Sequence, residues 1–294
     1  MKKQELVINK FDSFELKDIF DCGQCFRWNL ESDGSYTGVV KHGVLNVNCD
    51  EKKIYFKGAL DCDIEKFVHD YFDFDRDYDK IKTSLAKIDK HMETSVKFGK
   101  GIRILNQDLW ETIISFIISA NNNIPRIKGI IERLSEKYGT KVEFEGNDYF
   151  LFPRPDELRA TTVSEYRALG LGFRDIRLFE TTQMVLNGDI NLNELYSLNT
   201  QDVRQKLLEL SGVGPKVADC ILLFSDLKRF DIFPIDVWVR RVMNDLYIKN
   251  EDEKKVSNNK INELAFKKFG DMAGLAQQYL FYWRRSVENT LDKK

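Results

Sequence analysis

The sequence predicts an α+β chain in which a small N-terminal antiparallel sheet leads a mainly α-helical body. Three observations predict it: apolar and polar residues alternate within the first sixty positions, the period turns helical from about Ile64, and the strands precede the helices as a block. Leu45, Val47 and Cys49 alternate with Asn46 and Asn48, and Ile54 and Phe56 alternate with Tyr55 and Lys57. Gly34, Gly43 and the polar cluster at 48–52 supply the turns. Residues 108–119 (DLWETIISFIIS) are apolar nearly all round, as a buried helix requires. Further helices are expected at 124–138, 156–160, 164–169, 175–186, 200–210, 217–227, 237–247 and 258–269. The expected division is a sheet domain over 1–90 and a helical domain over 91–294, with the boundary between about 75 and 100.

Composition narrows the class. No apolar run reaches the length of a membrane span, and the opening MKKQELVINKFDSFEL lacks a signal-peptide core. A soluble intracellular protein is expected, cytoplasmic and nucleoid-associated if the source is bacterial. Five cysteines, odd in number and loosely spread, argue against a disulfide framework. The formal net charge of −2 does not advertise a nucleic-acid binder. Yet residues 61–79 hold eight acids against Lys66 and Arg76, and the remainder carries 43 basic against 39 acidic residues. The mean therefore hides an asymmetry that leaves room for a basic face.

The most informative stretch is 208–236, LELSGVGPKVADCILLFSDLKRFDIFPID. Gly212, Val213 and Gly214 form a hairpin between two helix-like segments, and Lys216 follows it. Asp236 stands twenty residues beyond Lys216, just after a proline, and opens the next helix. Glycines let backbone N–H groups approach a phosphate because no Cβ intervenes, and the helix starting near Pro215 adds free N–H groups and a positive dipole end. This is a phosphate clamp with an amine and a carboxylate beside it. Blander readings exist for each part. A lysine after such a hairpin could merely touch a phosphate, and Asp236 could be only the N-cap of VWVRRVM.

The segment resembles the helix-hairpin-helix plus Gly-Pro-Asp signature of the DNA glycosylase superfamily. Four further blocks make the chain similar to the 8-oxoguanine DNA glycosylase family within it, and together the blocks run from Cys22 to Phe281. The resemblance implies a nucleophile at Lys216 and a catalytic carboxylate at Asp236, in an enzyme that removes 8-oxoguanine from duplex DNA and cleaves the strand through a lysine Schiff base. Such an amine must be neutral to attack, and at pH 7 an ordinary lysine loses its proton at a cost of about 4.6 kcal/mol. Cys220, one helical turn from Lys216, is implied to line the base pocket, although alone it reads as a small buried residue.

Cys22-Gly-Gln-Cys-Phe-Arg-Trp28 resembles the family's GQSFRW block, with Cys25 replacing serine. It implies that the Gly23 carbonyl accepts from N7–H of 8-oxoguanine, where normal guanine has an acceptor instead. Ser119-Ala-Asn-Asn-Asn-Ile-Pro-Arg126 is similar to SSNNNIARI. It implies that Asn121 fills the space left by the flipped base and that Arg126 reads the opposite cytosine. Leu169-Gly-Leu-Gly-Phe-Arg174 is similar to LGLGYRARY, implying a wedge at Phe173 and a second cytosine reader at Arg174. Ala273-Gly-Leu-Ala-Gln-Gln-Tyr-Leu-Phe281 is similar to GWAQAVLF, implying Gln277 at the base edge and Phe281 on its face. Two positions depart from the pattern. Trp238 stands where the family has a phosphate-binding histidine, and Pro125 precedes Arg126.

No cofactor is expected to be required. Three well-separated histidines argue against zinc, and no cysteine follows Cys220 to hold a C-terminal iron–sulfur cluster. By resemblance, carbonyls of Leu208, Leu210 and Val213 hold a structural monovalent or calcium cation that takes no part in the chemistry. The expected partner is lesion-bearing duplex DNA, bound by a monomer. Two competitors share features with this reading. A monofunctional alkylbase glycosylase would lack the hairpin lysine, and a non-catalytic helix-hairpin-helix module would need neither Asp236 nor the GQCFRW block. A thiol–disulfide role for Cys22 and Cys25 lacks the surrounding βαβ pattern.

Overall fold

The computed structural model describes residues 1–291. Five antiparallel strands form the N-terminal sheet: β1 (Lys2–Asn9), β2 (Trp28–Leu30), β3 (Tyr36–Val40), β4 (Gly43–Cys49) and β5 (Lys53–Leu60), in the order β1-β5-β4-β3-β2. In β5 the predicted alternation sends Ile54 and Phe56 inward and Tyr55 and Lys57 outward. The β4–β5 turn is closed by Asp50, whose Oδ1 accepts from the N–H groups of Lys52 and Lys53. One face of the sheet packs on an aromatic core that includes Phe14, Phe20, Trp28 and Phe72, against the short helix α1 (Leu16–Phe20).

The helical period begins as expected after the sheet, with α2 (Ile64–Tyr71), α3 (Tyr78–Ala86) and α4 (Lys90–Phe98). Asp63, Asp77 and Asp89 each cap one of these helices by accepting from backbone N–H groups of the first turn. Part of the acidic excess in 61–79 is thus capping chemistry, which is why it says little about partners. Beyond it lie α5 (Leu109–Ser119), α6 (Ile124–Tyr138), α7 (Val163–Ala168), α8 (Asp175–Asn187), α9 (Thr200–Glu209), α10 (Pro215–Phe224), α11 (Val237–Met243), α12 (Asn258–Phe269) and α13 (Ala273–Leu291). Nine of the eleven residues of α5 are buried, which makes it the central post of the body.

Two expected helices differ, and one hairpin was not expected. The helix at 156–160 is one 3₁₀ turn over Pro155–Leu158, too short to propagate. The helix expected to reach residue 227 ends at Phe224, where Asp226 N–H bonds to the Gln107 carbonyl instead. A hairpin of β6 (Lys141–Phe144) and β7 (Asn147–Phe150) lies between α6 and α7. Its Val142 and Phe144 pack on Val39, Val44 and Ala59, so the sheet is covered on both faces.

The segment that positions the site is 22–28. Cys22 and Phe26 belong to the helical core, while Cys25 and Trp28 belong to the sheet core. Gln24, fully buried between them, donates to the carbonyls of Ile19 and Arg103 and accepts from Leu105 N–H. The block is a rivet through the seam. Among the described residues no helix is long and apolar enough to cross a membrane.

Candidate active site

The hairpin between α9 and α10 has the geometry its glycines suggest. Gly212 adopts φ +83°, and a Cβ there would meet Arg177 and Ile117 at about 3 Å. Gly214 has open space at that position, so a backbone can come close to it. Pro215 occupies the first turn of α10, where its missing N–H costs nothing, and places Lys216 beside it. Asp236 is the N-cap of α11, its Oδ1 accepting from Val239 N–H at 2.7 Å. The cap fixes one carboxylate oxygen and leaves the other for the cleft.

Lys216 and Asp236 line one cleft with Gly23, Phe116, Cys220, Phe224, Gln277 and Phe281. Segments 190 residues and more apart in sequence are thereby brought to one point. Lys216 is half-buried, with Nζ 5.4 Å from the centre of the Phe116 ring. Three influences act on its amine: the Cys220 sulfur raises the pKa, burial lowers it, and the Asp236 carboxylate raises it, for a net upward direction. Burial pushes the Cys220 thiol itself up to about 11. At neutral pH that sulfur is therefore a thiol, and its hold on Lys216 is a hydrogen bond and not a charge. The resting amine is an ammonium, and the proton must leave before attack.

Gly23 has φ +92°. A Cβ on it would stand 3.2 Å from Arg285 Nη1 and 3.5 Å from Phe281 Cε1, so only glycine fits this turn. Gln277 is 5% exposed and its Oε1 is buried without a hydrogen-bond partner. An acceptor left in that state costs about 1–3 kcal/mol, which a donor arriving on a bound ring would recover. The cleft encloses about 60 Å³, room for a few waters and not for a purine. A base enters only if Phe281 and its neighbours yield. Larger surface clefts exist, such as one of about 460 Å³ along 185–198, and Lys216 also borders one of about 380 Å³ with Asp219 and Asp231.

A second group of predicted residues lies between α5 and α6, in the first turn of α6, and in the 3₁₀ turn before α8. Asn121 is exposed at φ +52°. Arg126 is exposed too, and its Nη2 donates to the Gly170 carbonyl at 3.2 Å. Phe173, 54% exposed, is flanked by the guanidinium groups of Arg174 at 4.2 Å and Arg177 at 5.1 Å. Arg174 is 1% exposed and donates to the carbonyls of Ala120, Asn121 and Leu171. Trp238 is half-buried on α11 with the Arg241 guanidinium 5.3 Å from its ring centre. A cation thus stands beside the uncharged indole.

Three contributors were not singled out from sequence. Phe116 is one apolar residue among many in α5 and carries no distinguishing signal. Gln278 donates to the Cys22 carbonyl at 2.7 Å, and Arg285 donates to that of Asp21 at 2.7 Å. Both fall on the face of α13 that carries Gln277 and Phe281, and i+4 spacing from Phe281 would have pointed to Arg285. Cys22 and Cys25 are buried free thiols, with burial raising Cys22 to about 12 and Cys25 well above the usual range. Such thiols make poor redox nucleophiles. His42 lies apart from the other histidines. Its ligand atom and those of Asp61 and Cys62 fall within 4.8 Å of one another, with His42 Nδ1 bonded to Asp61 at 2.8 Å.

A hairpin that presents backbone N–H groups, an amine at the start of the following helix and an N-capping aspartate define a DNA glycosylase of the helix-hairpin-helix class. Known proteins agree. The profile described as "HhH-GPD superfamily base excision DNA repair protein" matches residues 114–267, and "8-oxoguanine DNA glycosylase, N-terminal domain" matches 6–113. The N-glycosylase/DNA lyase of Saccharomyces cerevisiae is 32% identical, over 94% of this chain and 85% of the relative. The crystal structure of Clostridium acetobutylicum 8-oxoguanine glycosylase/lyase, in complex with duplex DNA containing cytosine opposite 8-oxoG, superposes with TM-score 0.89. It is 41% identical, over 96% of this chain and 98% of that one. The chain belongs to the 8-oxoguanine DNA glycosylase/lyase family of the helix-hairpin-helix Gly-Pro-Asp superfamily. A 3-methyladenine DNA glycosylase from Archaeoglobus fulgidus shares the fold at TM-score 0.76 and 19% identity, so fold alone does not choose the base.

Proposed function

We propose that this chain excises 8-oxoguanine from duplex DNA and then cleaves the abasic strand by β-elimination. The observation that carries the proposal is the convergence of Lys216 and Asp236 with Gly23, Cys220, Gln277 and Phe281 in one cleft. The flipped base lies between Phe281 and Cys220, with N7–H donating to the Gly23 carbonyl and the base edge meeting Gln277. As the C1′–N9 bond breaks, Asp236 steadies the positive charge on the sugar, and the base departs with the bonding electrons. The Lys216 ammonium gives a proton to the departing base, and the neutral amine then forms the new bond to C1′. Ring opening gives a Schiff base, loss of the C2′ proton follows, and the C3′–O bond breaks to release the strand.

On the opposite strand, Phe173 wedges into the stack, Asn121 occupies the vacated space, and Arg126 with Arg174 reads the cytosine. Arg126 is the freer of the two, because the donors of Arg174 already hold the 120–121 loop. Gly212, Gly214 and Trp238 contact the lesion strand's backbone. The hairpin carbonyls of Leu208 and Val213 accept none of the described hydrogen bonds, and that of Leu210 accepts one, from Val213 N–H. Such a set suits a hard monovalent or calcium ion bridging to phosphate. Every covalent step runs on Lys216 and Asp236. The protein acts as a monomer on duplex DNA.

The test is incubation with a duplex carrying one 8-oxoguanine opposite each of the four bases, in the presence of borohydride. An adduct strongest opposite cytosine is expected. Equal trapping opposite all four would keep the chemistry and discard the cytosine readers. Base release with no adduct would make the enzyme monofunctional and remove Lys216 from its role.

A further inference from the structure

The turn that carries Gly23 is held from one side by α13. Gln278 Nε2 donates to the Cys22 carbonyl at 2.7 Å, and Arg285 Nη2 donates to the Asp21 carbonyl at 2.7 Å. The next carbonyl, that of Gly23, accepts none of the described hydrogen bonds. Two successive peptide planes are thus pinned, and the third C=O is left pointing without a partner. On its other side Gln24 is locked, its side chain bonded to Ile19, Arg103 and Leu105 and its carbonyl accepting from Gln107 Nε2 at 2.8 Å, so the Gly23 C=O is held between two fixed neighbours. The same Arg285 lies 5.1 Å from the centre of the Phe281 ring, and its Nη1 stands 3.2 Å from where a Gly23 Cβ would be. One guanidinium therefore touches both walls of the cleft, the carbonyl wall through Asp21 and the aromatic wall through Phe281.

We infer that Arg285 is a positioning residue for lesion recognition, tying the Gly23 carbonyl to the Phe281 ring so that both close on the base as one unit. The inference rests on the proposal that Gly23 reads N7–H. A planar guanidinium suits the task. Its fork can donate to a carbonyl while its face lies along an aromatic ring, which an ammonium cannot do. Phe281 lines the cleft and Arg285 stands behind it and the Gly23 turn. 8-Oxoguanine differs from guanine at C8=O and at N7–H, and N7–H is the difference the Gly23 carbonyl would read, so a carbonyl free to rotate would lose that discrimination before it lost general affinity.

The experiment measures two quantities on the full chain. The first is the ratio of affinities for duplexes bearing 8-oxoguanine and guanine opposite cytosine, read in a Lys216→Gln background so that no turnover occurs. The second is the rate of strand cleavage at a preformed abasic site, which has no base to recognise and is read with Lys216 intact. Arg285→Ala is expected to lower the affinity ratio about tenfold, the loss of one charge-assisted hydrogen bond of about 1.4 kcal/mol, while abasic-site cleavage stays within about twofold. Arg285→Lys retains a donor for the Asp21 carbonyl and should recover part of the ratio. An unchanged ratio in Arg285→Ala would overturn the inference. Parallel loss of the ratio and of abasic-site cleavage would also overturn it, by showing a general structural defect. A lysine variant no better than alanine would overturn the bond to Asp21 as the link. If the protein with Arg285 in place shows no preference for 8-oxoguanine over guanine, the lesion assignment itself fails, whatever Arg285 does.

Discussion

The two groups of functional residues differ in how they are held. In the cleft, Lys216 and Asp236 sit at helix starts, and Cys220 and Gln277 lie within helices and are buried. The group proposed to meet the opposite strand is drawn mostly from turns, with Asn121, Gly170 and Gly172 at positive φ, Phe173 exposed, and Arg126 exposed in the first turn of α6. Regular structure fixes side chains to the tolerance that bond-making requires, whereas a surface that meets a deformable duplex can take its final shape on contact. On the proposed reading, the amine and carboxylate are already held at one point in the free protein, whereas the turn residues would take their final arrangement on contact with DNA.

The largest expected effect lies in the cleft. Lys216→Gln should lower single-turnover excision at least about 10³-fold and abolish the borohydride adduct while sparing DNA binding. Adduct formed by that variant would move the nucleophile elsewhere. Gly23→Ala forces a side chain into a left-handed turn against Arg285 and Phe281, a strain of about 1–3 kcal/mol. Lesion affinity should fall about 10- to 100-fold in a binding assay, and abasic-site cleavage should hold. In the second group, Arg126→Ala should cost about 1–3 kcal/mol of discrimination, visible as excision rates converging across the four opposite bases. If cytosine preference survives, Arg174 leaves its carbonyls on binding and the contrast between the two regions is sharper than drawn.

The smallest effect concerns pH. Lys216 is held above its ordinary value, so the free-amine fraction rises about tenfold per pH unit through the neutral range. Adduct formation on a preformed abasic site should rise with pH between 6 and 9. With Cys220 a thiol at this pH, the charge that holds Lys216 up is the Asp236 carboxylate, so Cys220→Ala should leave the pH dependence of trapping within about twofold. A large shift to lower pH in that variant would mean that a thiolate, and not the Asp236 carboxylate, holds the amine up.

Much of the fold was legible because its signals are local. Period and caps placed α5, α6, α8, α9 and α12 within about a turn. The 141–150 hairpin was equally visible, with Val142 and Phe144 alternating before a Glu145-Gly146 turn at positive φ. For the site, Lys216, Asp236 and the hairpin could be read because each belongs to one contiguous segment. Phe116 and Arg285 could not, since their roles exist only where α5, α13 and the 21–24 turn meet. Nor does any sequence pattern state that Arg174 would be buried against the carbonyls of its neighbouring loop.

The buried sulfurs have a consequence outside the reaction. Guanine is oxidised when peroxide and its relatives are abundant, and those species attack thiolates, not thiols. Burial pushes Cys220 up to about 11 and Cys22 to about 12, so at pH 7 both sulfurs stand as thiols. Cys25, Cys49 and Cys62 are raised as well, each chiefly by burial. A repair protein built this way keeps its sulfur unreactive during the stress that creates its substrate.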